Sequence, residues 1–317
     1  MRMFRTVRAG RSWVRALELT IAAPPRHAAC VLMKPGSTEP PVFMIPGSTG
    51  SVLQLGPLAA ALPSPMPFYA VKPRGVAEGE TPCRRIEEMA EYSIGVMRAQ
   101  QPAGPYLLVG YSVGGLVALE MARQLTAAGE DVPLVVLLDT YPSRQIWPLR
   151  CHLEIFVRET GAAMASLRRQ ARSQIIRELG RRIRGLSTYL AASGVKILAP
   201  PPIVIEGCNA AARRLHLASV KAGDAYRPSR YSGRVVFVQP EEIPKLTPRV
   251  PAQVWGKFLT DLEICRVPGS HLAMLETYAA TVASEISRCL ARALPMWLPG
   301  AAPRDAFAGA ERVMEPR

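Results

Sequence analysis

The segment Gly110-Tyr111-Ser112-Val113-Gly114-Gly115 sets a serine in a G-x-S-x-G frame followed by one more glycine. A serine hydroxyl is a poor nucleophile at neutral pH. It needs a base to take its proton, and the base needs an acid to orient it. The small residues serve the same chemistry. They allow a tight turn that holds the serine in strained φ/ψ, and they let the chain pass closely on either side. The chain has four histidines, His27, His152, His216 and His271. His271 closes the run Arg266-Val267-Pro268-Gly269-Ser270-His271, where a loop after a late strand can swing an imidazole over Ser112. His27 precedes the first strand, and His152 and His216 fall in a helical stretch, where each could line a cap or lie partly exposed. For the acid, Asp139 ends an apolar run one helix and one strand after Ser112. Glu241 and Glu242 follow a later strand and could also supply it. Asp139 is favoured and the rival stays open.

The elements that must carry these residues alternate. Strands are expected at Ala28 to Met33, Val42 to Ile45, Pro67 to Lys72, Tyr106 to Val109, Leu134 to Leu138, Arg234 to Val238 and Leu262 to Val267. Ile86 to Ala99 and Leu116 to Leu125 carry apolar residues at helical spacing, Gly129 is a stop signal, and a last helix is expected from about Met274 to Leu294. Strands apolar on both faces and separated by helices imply a mostly parallel sheet covered on each side. The alternation breaks over about 145–228, which reads as an inserted helical cap. A strand that runs into the serine and a helix that runs out make the strand–turn–helix setting of a nucleophile elbow, and the order Ser, Asp, His is that of the α/β-hydrolase fold. The oxyanion hole then needs two backbone N–H groups. Val113, at the positive end of the following helix, offers one. The loop Pro46-Gly47-Ser48-Thr49-Gly50 offers the other, through Gly47 or Ser48.

The chain has 317 residues, 49% hydrophobic and 20% charged, enough apolar material for a core and too much for a disordered chain. No apolar run approaches the roughly 20 residues that span a bilayer. The net charge of +14 could favour an anionic partner or reflect an arginine-rich composition, and no nucleic-acid motif accompanies it. The six cysteines contain no C-x-x-C pair, so a zinc site and a dense disulfide framework are not expected, and a reduced cytoplasmic setting is. Residues 1–27 are a basic extension, with Arg2, Arg5, Arg8, Arg11 and Arg15 at helical spacing. They read as a leader or linker, with membrane contact as the alternative. The folded unit is expected at 28–294, and residues 295–317 read as a loose tail. Within the cap, Arg168, Arg169, Arg172, Arg177, Arg181, Arg182 and Arg184 crowd one stretch in which Glu178 is the only acid.

Several of these segments resemble the thioesterase domains that end non-ribosomal peptide synthetases and polyketide synthases, and the fatty-acid synthase thioesterase. The matching stretches are Pro40 to Gly47, the Ser112 elbow, Ala118 to Leu125, Leu137-Leu138-Asp139, Tyr226-Arg227-Pro228 and Gly269 to Leu275. The resemblance implies an acyl or peptidyl thioester substrate, a Ser112 acyl-enzyme, release by water or by an internal nucleophile, and no metal or organic cofactor. An acid at Asp139 resembles the synthetase-terminal type, and the separate editing type usually draws its acid from a later strand. Residues 1–27 are too few for a carrier domain, since chains below about 40 residues rarely fold unaided. The phosphopantetheine carrier, an acyl or peptidyl carrier protein, is therefore expected in trans, and the basic cap is a candidate docking surface for it. Two other readings stay open: an ester hydrolase or acyltransferase on a free small molecule, and a non-catalytic binding protein of the same fold.

Overall fold

A computed structural model describes residues 29–77, 79–167, 209–294 and 311–312. The parallel strands are β2 (Val42–Ile45), β3 (Phe68–Val71), β4 (Leu107–Tyr111), β5 (Leu134–Leu138), β6 (Tyr231–Pro240) and β7 (Leu259–Val267). β1 (Cys30–Lys34) closes one edge antiparallel to β3. The order across the sheet is β1-β3-β2-β4-β5-β6-β7, and the two-residue β8 (Glu311–Arg312) pairs antiparallel to β7. The helices are α1 (Gly56–Ala61), α2 (Ile86–Gln100), α3 (Val113–Ala127), α4 (Leu149–Leu167), α5 (Ala210–Ala225), α6 (Ala252–Trp255) and α7 (Ala279–Ala293).

The continuous apolar strands follow from burial on both faces. Successive side chains point to opposite sides, so each strand feeds two cores. Phe43, Ile45, Leu108, Val135, Leu137 and Phe237 pack with residues of α2 and α3. Val42, Met44, Leu107, Val136, Leu138 and Val238 pack with residues of α1 and α7 on the other face. The sheet is thus the α/β-hydrolase sheet that the alternation implies. The chain leaves β2 toward β3 on one side, while β4 lies on the other. Loops that diverge from the carboxyl ends of neighbouring strands open a crevice between them. Here those loops are Pro46–Gly50 and the Ser112 turn.

Some boundaries differ from expectation. β6 and β7 begin at Tyr231 and Leu259, and a bulge between Tyr231 and Arg234 absorbs the extra pairing. The last helix begins at Ala279, not near Met274. Residues 271–278 form turns instead, with Leu275 N–H bonded to the Leu272 carbonyl and Glu276 N–H to the Ala273 carbonyl. That irregular stretch is the price of turning His271 back over the sheet.

α4 and α5 fall in the expected insertion, and its two ends meet, because Arg227 Nη2 donates to Gln145 Oε1 at 2.6 Å. The cap arginines 168–184, the basic extension with His27, and all of the tail but 311–312 lie outside the described residues. Among the described residues no helix is long and apolar enough to cross a membrane. Cys30, Cys83, Cys151, Cys265 and Cys289 are free thiols, and burial pushes Cys30 up to about 12.

Candidate active site

Ser112 follows β4 and precedes α3, with φ 55° and ψ −126°. Among the described residues, Ser112 and Asp139 are the non-glycine residues with positive φ. Such a conformation costs about 1–3 kcal/mol and persists where surrounding structure over-determines it. Here the glycines allow that structure to close in. A Cβ on Gly110 would lie 2.4 Å from the Gly114 carbonyl oxygen, and one on Gly114 would lie 2.2 Å from the Pro46 carbonyl oxygen. The elbow therefore packs directly against the loop after β2. Thr140 pins it from the other side, its Oγ1 donating to the Ser112 carbonyl at 3.0 Å.

Asp139 stands beside Ser112 because β4 and β5 run parallel in register. Tyr111 pairs with Leu138, so the next residues, Ser112 and Asp139, leave the same sheet edge. Ser112 N–H bonds to the Leu138 carbonyl, and Asp139 N–H to the Val238 carbonyl, both at 3.0 Å. His271 arrives from the loop after β7, and its Nδ1 lies 2.7 Å from Asp139 Oδ2. The Asp139 side chain is 7% exposed and the His271 side chain 32%. Tyr111 fixes the ring: it stacks on His271 with centroids 4.7 Å apart, and its hydroxyl donates to the His271 carbonyl at 2.9 Å. Burial, with Asp139 and Glu276 nearby, raises the Tyr111 pKa, so the phenol stays a neutral donor. Glu241 and Glu242 are exposed, and their backbone N–H groups bond to the Val267 and Gly269 carbonyls.

Of the oxyanion candidates, Val113 is the first residue of α3, where helix geometry leaves N–H groups without intrahelical partners. Gly47 abuts the serine, since a Cβ there would lie 3.7 Å from Ser112 Cβ. Ser48 is a candidate through its backbone N–H, and its side-chain Oγ lies 2.7 Å from Nδ1 of His216 on α5. His152 lies away from this cluster, near Trp147, and burial lowers its pKa. The sequence reading did not single out Tyr111, Thr140 or the His216–Ser48 pair. Tyr111 and Thr140 adjoin Ser112 and Asp139 and could have been sought there. Nothing in the helical spacing of α5 marks His216.

The family model for the thioesterase domain matches residues 40–290. Malpinin synthetase of Mortierella alpina is 41% identical over 108 residues, which is 34% of this chain and 1% of that protein. The nonribosomal peptide synthetase atqA of Aspergillus terreus is 39% identical over 104 residues, 32% of this chain and 11% of that protein. This chain therefore spans a small part of the curated relatives it matches. The NocB thioesterase domain, solved in covalent complex with a fluorophosphonate nocardicin G analog, superposes with a TM-score of 0.54 at 25% identity, over 80% of this chain and 95% of that one. The type II thioesterase BorB from the borrelidin biosynthetic cluster gives 0.55 at 22% identity, over 83% and 98%, a likeness of fold.

Proposed function

The chain belongs to the thioesterase domain family, of the type found in peptide and polyketide synthetases, and on that premise we propose that it releases an acyl or peptidyl chain from a carrier-held thioester through a Ser112 acyl-enzyme. The observation that carries this reading is the strained serine at the end of β4, next in register to the acid that holds His271.

With Nδ1 turned to Asp139, Nε2 is the ring nitrogen that serves Ser112. Ser112 Oγ attacks the thioester carbonyl while Nε2 takes its proton. The developing oxyanion is held by the N–H groups of Val113 and Gly47, dipoles that are oriented before the reaction begins. The C–S bond then breaks, and Nε2 returns the proton to the departing phosphopantetheine thiol of an acyl or peptidyl carrier protein. Water or a nucleophile within the chain next attacks the Ser112 ester, Nε2 takes that proton, and Ser112 Oγ leaves with it. Asp139 stays ionised and stabilises the imidazolium in both halves. The covalent complex of the NocB domain with a fluorophosphonate supports a covalent route in this chain. The synthetases among its relatives support a carrier as donor.

Intact mass spectrometry of the protein with a panel of acyl-thioester analogues tests the reading. The expected product is a single acyl adduct on Ser112. A panel that leaves the mass unchanged, in a protein that also resists a fluorophosphonate probe, would overturn it.

A further inference from the structure

α5, the helix that returns from the cap, touches both sides of the crevice. A Cβ on Gly223 would lie 3.3 Å from Val113 Cγ2. On the other side, a Cβ on Gly50 would lie 2.5 Å from Leu215 Cδ2, and Gly50 has φ +69°. Leu215 is 1% exposed, and its neighbour His216 is 8% exposed. The loop beneath them turns tightly, with Gly50 N–H bonded to the Gly47 carbonyl at 3.0 Å. The helix itself is tied down at its far end, where Tyr226 donates to Glu120 on α3 at 2.9 Å. Its start is capped by Asn209, whose Oδ1 accepts from Ala212 N–H at 2.8 Å.

A buried imidazole whose Nδ1 meets a serine hydroxyl, next to the glycine that abuts the nucleophile, calls for an explanation beyond packing. A leucine would pack in that place without needing a polar partner. We propose that His216 is a positioning residue for the oxyanion loop: its bond to Ser48 locks the turn 47–50 so that the Gly47 N–H faces the reacting carbonyl, and it thereby couples the seating of the cap helix to the chemistry. This inference rests on the serine thioesterase reading.

Removal of His216 leaves Gly47 present but less well aimed. Misplacement costs less than outright loss of a donor, which lowers the rate about 10²–10³-fold. His216→Ala and Ser48→Ala are each expected to lower kcat on a small acyl thioester about tenfold, with KM within about twofold. The double variant is expected to be no slower than the slower single one, because both changes break the same contact. His216→Asn places an amide atom where Nδ1 stood and should restore most of the rate. The affinity for an alkylboronic acid, whose serine adduct mimics the tetrahedral oxyanion, should fall in parallel with kcat/KM, which a merely structural role would not produce.

Losses that add in the double variant, or a His216→Ala protein with wild-type kcat and boronate affinity, would overturn the inference. Ser112→Ala keeps the two failures apart. If it has no turnover while His216→Ala is unaffected, only the positioning role is wrong. If it retains turnover, the serine reading and this inference fall together.

Discussion

Two buried carboxylates lie on neighbouring elements and are partnered in opposite ways. Glu120 on α3 is 1% exposed and fully partnered. Arg123 binds it with two nitrogens at 2.8 and 2.6 Å, Gln124 donates at 2.9 Å, and Tyr226 donates at 2.9 Å. Burial alone would raise its pKa, but the bonds from Arg123, Gln124 and Tyr226 outweigh it and leave the carboxyl below its ordinary value. Asp139 is 8% exposed, sits on a left-handed backbone, and faces an imidazole, not a fixed cation. A carboxylate saturated by permanent donors has nothing left to do but hold two helices together. One that faces a single imidazole is placed to stabilise the imidazolium that the proposed reaction forms. Burial does not separate the two roles; the partner does.

The largest test of the reaction side of this contrast is Ser112→Ala. Loss of a triad nucleophile costs on the order of 10⁶ in kcat, with a remainder due to binding and the oxyanion hole. The side chain lies at the mouth of the turn and packs little, so the melting temperature should stay near that of the wild type. Single-turnover kinetics on an acyl thioester would show it. A variant that kept more than a few per cent of the rate would remove the serine mechanism.

Asp139→Asn is expected to cost on the order of 10⁴ in kcat, since His271 loses the partner that sets its tautomer. Its stability should change little, because the amide is isosteric. Glu241→Gln should leave kcat within about twofold. A reversed ranking in steady-state rates would assign the acid to the strand after the cap.

Glu120→Ala probes the other carboxylate and should show up as stability. It strips Tyr226 of its buried acceptor and Gln124 of a partner, while Arg123 can turn to water. Leaving a buried hydroxyl unsatisfied costs about 1–3 kcal/mol. Urea unfolding would measure it. A Glu120→Ala protein of wild-type stability would mean that the cluster does not fasten α5 to α3.

How much of this could be read from residues alone differs between the two sides of the crevice. The β4–β5 side was legible. Apolar runs set the register, and register puts Ser112 and Asp139 together once the strands are parallel. The glycines of the elbow mark a close approach that few other residues permit. The α5 side was not legible. Its contacts join positions 48 and 216, or 120 and 226, and such pairs follow from how a cap folds back, which no local period encodes. His216 looked like any polar residue on a helix. α7 starts at Ala279 and not near Met274 for a similar reason: Met274 and Leu275 extend the helical spacing of Ala279 and Val282, but the turns that carry His271 take precedence over local propensity.

The smallest expected effect comes from the α5 side and concerns pH. Burial holds the His216 pKa below the ordinary histidine value, which is about 6.5 in an unfolded chain. Between the unfolded and the lower folded value, the unfolded chain binds more protons than the native one, so stability rises with pH across that window. The native state is therefore at full strength above about pH 6.5 and weakens as pH falls below it. His152, also lowered mainly by burial, adds a contribution of the same sign. Glu120 works in a separate window, because its lowered pKa contributes stability that is lost only below the ordinary carboxylate value of 4.5. Unfolding midpoints in urea at pH 7.5 and pH 5.5 should thus fall for the wild type through the histidines. In His216→Asn, which keeps a polar partner for Ser48 but cannot titrate, the fall should be smaller, with His152 left to account for the remainder. A variant whose midpoint drops as steeply as that of the wild type would place the acid-side weakness away from α5, and would leave the cap helix indifferent to pH.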